Sequence, residues 1–152
     1  MKKSAASIVF ILMVISLLFV SCALSNNAKT SDYEAFLELL TKNGFSYAEG
    51  NPDSEFHFLT AERKPVFIGS EILGVYEYES NEVMESDAAC VDISGFSMRF
   101  EGGGIEISWA SNPYFFKKDA LMINYVGEND DIINFLIKNF GKPFAGLGAE
   151  IK

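Results

Sequence analysis

Leu121-Met122-Ile123-Asn124-Tyr125-Val126, LMINYV, is the most apolar strand candidate in the chain, and Gly127-Glu128-Asn129-Asp130-Asp131 follows it directly. A short apolar run bounded by turn-forming polar residues reads as a strand buried on both faces, central in a sheet. After the turn the period changes. Ile132, Ile133, Leu136, Ile137 and Phe140 recur at helical steps and form one wide apolar stripe. Acids lead into this helix, where the dipole favours them, and Gly141 with Pro143 ends it. The tail from Phe144 to Gly148 reads as loop.

Working back from this strand, Asn112 to Lys118, NPYFFKK, has a proline that breaks the preceding strand and ends in a basic pair, which predicts an exposed loop. Before it, Phe96 to Phe100 and Ile105 to Ala110 flank Glu101-Gly102-Gly103-Gly104, a hairpin with its loop over 101–104. Ile105, Ile107 and Trp109 then share a side. Ser80-Asn81-Glu82 opens a second helix, with Met84, Ala88 and Val91 in line and Ser94-Gly95 as its stop. Glu71 to Glu79 is a β-branched and aromatic strand in which Ile72, Gly74, Tyr76 and Tyr78 share a face.

Between Phe45 and Ile72 the signals are short. Phe45 and Tyr47 alternate, Asn51-Pro52-Asp53 is a turn, Phe56, Phe58 and Thr60 oppose His57 and Leu59, and Glu62-Arg63-Lys64-Pro65 reads as a connection. The first helix is clearer. Ser31-Asp32-Tyr33-Glu34 is a capping box, Tyr33, Phe36, Leu37 and Leu40 form one face, and Asn43-Gly44 closes a helix of about 32–43. Helix, strands, helix, hairpin, strand, helix is the order of an α+β fold, an antiparallel sheet with helices packed mainly on one face. Residues 31–152 suit a single domain.

The first 22 residues have another character. Lys2 and Lys3 precede an apolar run from Ser4 to Val20, and Ser21-Cys22 closes it. Basic, apolar and small residues in this order predict an export signal, and the cysteine predicts a lipid anchor. Leu18-Phe19-Val20-Ser21-Cys22 resembles the cleavage box of bacterial lipoprotein signal peptides, with Phe19 where that family usually carries Leu. Cys22 is then the lipidated residue, 23–30 a polar tether, and the domain an extracytoplasmic one held at the cell membrane or the outer membrane. Two alternatives stay open: cleavage after a small-x-small site, releasing a secreted protein, and retention of the run as an anchor.

Removing Lys2 and Lys3 takes the basic count from 12 to 10 against 21 acids, a net charge of −11. A polyanionic nucleic acid is excluded as a partner on this ground. With Cys22 lipidated, Cys90 is left single, and Ala88, Ala89 and Val91 around it suggest a small apolar filler within the second helix.

Val75-Tyr76-Glu77-Tyr78-Glu79-Ser80, Ile107-Ser108-Trp109, Asn112 to Lys118, Ile123-Asn124-Tyr125-Val126-Gly127 and Gly141 to Gly146 together resemble a group of small bacterial lipoproteins with no established activity. The resemblance spans roughly residues 71–147. It implies localisation and a shared fold, and it carries over no functional residue.

No catalytic set stands out. There is one histidine, no nucleophile elbow, no H-E-x-x-H and no paired cysteines. The glycines at 102–104 precede a strand, not the helix a phosphate loop needs. Glu128, Asp130 and Asp131 do not have the spacing of a calcium loop, and acids belong at a helix start anyway. No metal or cofactor is expected. The candidate contact surface is Tyr114, Phe115, Phe116, Lys117 and Lys118, offered to a protein, peptide, glycan or lipid headgroup; the alternative has these aromatics capping the sheet. The expected function is a non-enzymatic binding or accessory module of the envelope, anchored to the membrane by lipid. A second reading is an extracytoplasmic enzyme using carboxylates such as Glu77, Glu79 and Glu106 as acid and base.

Overall fold

The computed structural model of the protein describes residues 31–53 and 59–150. The leader, the tether, Cys22 and the alternation at Phe56, His57 and Phe58 lie outside them. The elements are α1 (Asp32–Lys42), β1 (Ala48–Glu49), β2 (Arg63–Ile68), β3 (Glu71–Glu77), α2 (Asn81–Ala88), β4 (Ser97–Phe100), β5 (Gly103–Glu106), β6 (Pro113–Lys118), β7 (Leu121–Val126), α3 (Asp130–Phe140) and β8 (Ala145–Gly146). Six strands form one sheet in the order β1-β2-β3-β7-β6-β8, and β4-β5 stands apart as a hairpin. Every pairing is antiparallel. The fold is α+β, and β7 lies centrally.

Two cores, one on each face of the sheet, follow from strand alternation. Val66, Leu73, Val75, Phe116, Leu121, Ile123 and Tyr125 face α1 and α3, which contribute Phe36, Leu40, Ile132 and Leu136. The intervening residues Tyr76, Phe115 and Met122 face α2 and the hairpin, which contribute Met84, Ala88 and Met98. Two of the three described helices thus share a face. Each fully buried aliphatic or aromatic side chain here contributes about 1.5–3 kcal/mol. The helix starts follow their caps: Ser31 Oγ accepts from Glu34 N at 3.1 Å, and Asn129 Oδ1 accepts from Asp131 N at 3.0 Å. Ile137, expected in the stripe of α3, is 41% exposed because the stripe is centred on Ile132 and Leu136.

Four segments correct the sequence reading. Asn112 to Lys118 is not a loop: Pro113 begins β6 instead of breaking a strand, since a missing N–H is tolerated at a strand's first residue. Arg63 to Pro65 belongs to β2, where the Pro65 carbonyl accepts from Gly50 N at 2.8 Å. In a strand a residue's nitrogen and carbonyl point to the same side, so Pro65 faces Gly50 just past the end of the two-residue β1, where its missing N–H leaves one bond in place of a reciprocal pair. The hairpin turns on Glu101 and Gly102 alone, with Gly102 at φ +92°, so Gly103 and Gly104 are strand residues. The tail is not all loop, because Ala145 and Gly146 pair with Phe115 and Tyr114 as β8.

Candidate functional site

Directly opposed residues of an antiparallel sheet share a face. One such row runs Pro65, Gly74, Asn124, Phe115 and Ala145 across the α2 side of the sheet. Phe115 and Ala145 are sealed in the α2 core. Toward β2 the cover thins, and Ile72 on the same face is 43% exposed. Gly74 has no side chain to fill the row. The Arg63 stem lies across it, so that a Cβ at Gly74 would come within 3.0 Å of Arg63 Cδ. A cleft of about 310 Å³ results, lined by Arg63, Ile72, Gly74, Trp109, Asn124 and Val126. This is at the lower end of the size of small-molecule sites.

Asn124 distinguishes this cleft. It is 5% exposed, and its Nδ2 has no hydrogen-bond partner. The other buried polar residue among those described, Asp87, is served twice, by Thr60 N at 2.6 Å and Thr60 Oγ1 at 3.0 Å. A buried donor without an acceptor costs about 1–3 kcal/mol. The sheet therefore carries, beside a cleft, a buried amide nitrogen whose hydrogen-bonding capacity is unused.

The walls are held firmly. The Trp109 indole N–H donates to Gly95 O at 2.7 Å, and the ring stands edge-on to Phe115 at 6.2 Å between centroids. Arg63 Nη2 pairs with Asp53 at 3.1 Å. Glu71, which also borders the cleft, accepts from the Tyr125 hydroxyl at 2.8 Å. Arg63 is thus ion-paired and Glu71 hydrogen-bonded within the protein. Such a site can hold a small neutral ligand with a flat apolar face and an acceptor group.

Of the two readings of Tyr114 to Lys118, the contact surface is not formed by the aromatics, and the one in which they pack on the sheet holds. Tyr114, Phe115 and Phe116 are buried, Tyr114 and Phe116 toward α1 and α3 and Phe115 toward α2. The alternation of β6 sends them to both cores, and only Lys117 and Lys118 reach outward. Lys117 pairs with Glu85, while Lys118 Nζ donates to Asn139 O at 3.2 Å. Lys117 and Glu85 line a larger groove of about 570 Å³ with Lys142 and Glu150, but those four charges are paired with one another.

The three carboxylates weighed as acid and base are not brought together. Glu77 takes Lys64 Nζ at 2.7 Å and Tyr33 N at 3.0 Å on the α1 side. Burial pulls its pKa up, but these bonds outweigh burial, so the carboxyl lies below its ordinary value. Glu106 is exposed on the hairpin and Glu79 is exposed beyond β3. None of the three lines the Gly74 cleft or the α2 groove.

Cys90 lies in the turn after α2, not within the helix, because the last helical residue is Ala88. It is half-buried, and burial, followed by the nearby Asp87 carboxylate, raises the thiol pKa, the opposite of nucleophile activation. Glu128, Asp130 and Asp131 are exposed, and among the described residues no three His, Cys, Asp or Glu side chains converge to hold a metal. No described helix is long and apolar enough to cross a membrane.

The sequence reading passed over Asn124 and Gly74, although a signal for both was present. An amide inside the most apolar strand and a glycine inside a β-branched strand are each unfavourable for the strand itself. Comparison with protein-family models, with curated proteins and with solved structures returns no match, so the cleft rests on its own geometry.

Proposed function

We propose that this protein is a non-enzymatic binding module, exported and lipid-anchored through Cys22, that takes a small ligand in the cleft over Gly74 and Asn124. The observation that carries the binding reading is the Asn124 amide, its Nδ2 unpartnered, in a cleft walled by Ile72, Trp109 and Val126. Nothing in the cleft resembles an acid and base pair, since its one carboxylate, Glu71, is held by Tyr125. Envelope localisation is supported by the leader pattern ending at Cys22, which also resembles lipoprotein signals.

Trp109 is the only tryptophan in the chain and lines the cleft. Its emission therefore reports on occupancy directly. A diverse library of neutral fragments is expected to contain members that shift this emission saturably and that lose the effect in Gly74→Leu, which fills the cleft. A library that leaves Trp109 unperturbed throughout rejects the binding reading. Mass spectrometry of the mature N-terminus tests the anchor, which an unmodified residue at or after Ala23 rules out.

A further inference from the structure

We infer that the ligand of this cleft is a neutral saccharide bearing an N-acyl group; the inference rests on reading the cleft as a binding site. Four features point there together. Trp109, immobilised by Gly95 O and Phe115, offers the rigid aromatic wall against which the C–H face of a sugar ring stacks. Asn124 lines the cleft with an amide whose buried Nδ2 lacks a partner, and an acyl carbonyl is the strongest neutral acceptor a sugar carries. Ile72 and Val126 line the cleft as apolar contacts suited to the acyl methyl. Arg63 is already paired with Asp53, so an anionic ligand gains no free counter-charge from it and meets the Glu71 carboxylate beside it.

Other ligand classes fit less well. A lipid chain would leave Asn124 as unsatisfied as before. An aromatic acid would stack on Trp109 but bring a carboxylate to an arginine already paired with Asp53 and to the Glu71 carboxylate. An unacylated sugar would stack and offer hydroxyls, yet would place no carbonyl on the amide. Asn124 is thereby assigned to recognition at the expense of the sheet, a trade between stability and function.

The test is titration of the purified mature protein with di-N-acetylchitobiose, cellobiose and benzamide, followed by Trp109 emission. The acetylated disaccharide is expected to bind at least tenfold more tightly than cellobiose, about 1.4 kcal/mol. Asn124→Val is expected to remove that preference while melting at or above the wild-type temperature. Ile72→Glu, at an exposed position beside the cleft, is expected to weaken binding with melting unchanged. Equal binding of the two disaccharides overturns the acyl assignment. Binding of benzamide without either sugar overturns the saccharide class and leaves the cleft as a binding site. Silence of Trp109 toward these probes and toward the fragment library overturns both. Retained preference in a destabilised Asn124→Val overturns the role given to Asn124 and makes it structural.

Discussion

Tyr125 and Glu71 meet diagonally across the β3–β7 ladder, the phenol donating to the carboxylate at 2.8 Å while accepting from Asn129 N at 3.0 Å. One hydroxyl thus ties the start of β3 to the cap of α3. Gly127 makes room for it, since a Cβ there would lie within 2.9 Å of Glu71 Oε2 and clash harder with the phenol. Tyr125→Phe removes a bond to a charged group and is expected to cost about 1.5–3 kcal/mol in urea unfolding. Gly127→Ala is expected to lower stability as well, by displacing the same hydroxyl. Wild-type stability in both variants would show that the tie is not a structural one.

The same phenol predicts an alkaline transition. Burial first, and then the Glu71 carboxylate, push Tyr125 from 10.0 up to about 12, with the Asn129 amide pulling the other way. Tyr33, Tyr78 and Tyr114 are also raised, each chiefly by burial. The unfolded chain loses these protons first as pH rises. The stability they contribute is whole below the unfolded tyrosine value near 10 and is lost as pH rises through the folded values. Ultraviolet titration of tyrosinate alongside chemical melts checks this; phenols that all ionise near 10 without unfolding contradict it.

Glu77 predicts the acid limb with the opposite sign. Its pKa is lowered in the fold, so the unfolded chain binds the proton more readily. The Glu77 contribution is present above the ordinary carboxylate value and is lost as pH falls through the depressed one. Glu77→Gln is expected to flatten part of the stability decline in that window. Loss of the Lys64 pair, partly open to water, is expected to cost about 1 kcal/mol or less at neutral pH. An unchanged acid slope in Glu77→Gln removes this carboxylate from the acid transition.

Strand β6 divides sharply between core and surface. Phe115→Ala and Phe116→Ala each empty a fully buried site and are expected to cost about 3–5 kcal/mol. Lys118→Ala, exposed at the strand end, is expected to change stability by less than about 0.5 kcal/mol. Thermal melts of the three variants suffice. Small effects at both phenylalanines would restore the exposed aromatic surface that the sequence suggested.

Much of the framework was legible in the residues. Tyr33, Phe36, Leu37 and Leu40 announced α1 because a cap, a 3.6-residue period and a terminating glycine all agreed. β7 was legible for a different reason: only a strand covered on both faces tolerates so apolar a run. The failures cluster at prolines and glycines. Pro113 and Pro65 look like breakers, yet each nitrogen points to a position just past the end of a two-residue edge strand, and that depends on a neighbour distant in sequence. The glycine run at 102–104 did not state which residue would turn, because the register of Ser97 with Glu106 decides it. The cleft was illegible as a site because it needs Gly74 and Asn124 face to face, a pairing of residues 50 positions apart.

The six-stranded sheet ends on both sides in strands of only two residues, β1 and β8. An edge of that length offers too few free amides and carbonyls to template another chain. Neither edge of this sheet therefore offers a full-length strand to a second copy, and the long apolar strands β3 and β7 stay shielded between their neighbours. Dense packing of copies thus finds no long template along this sheet.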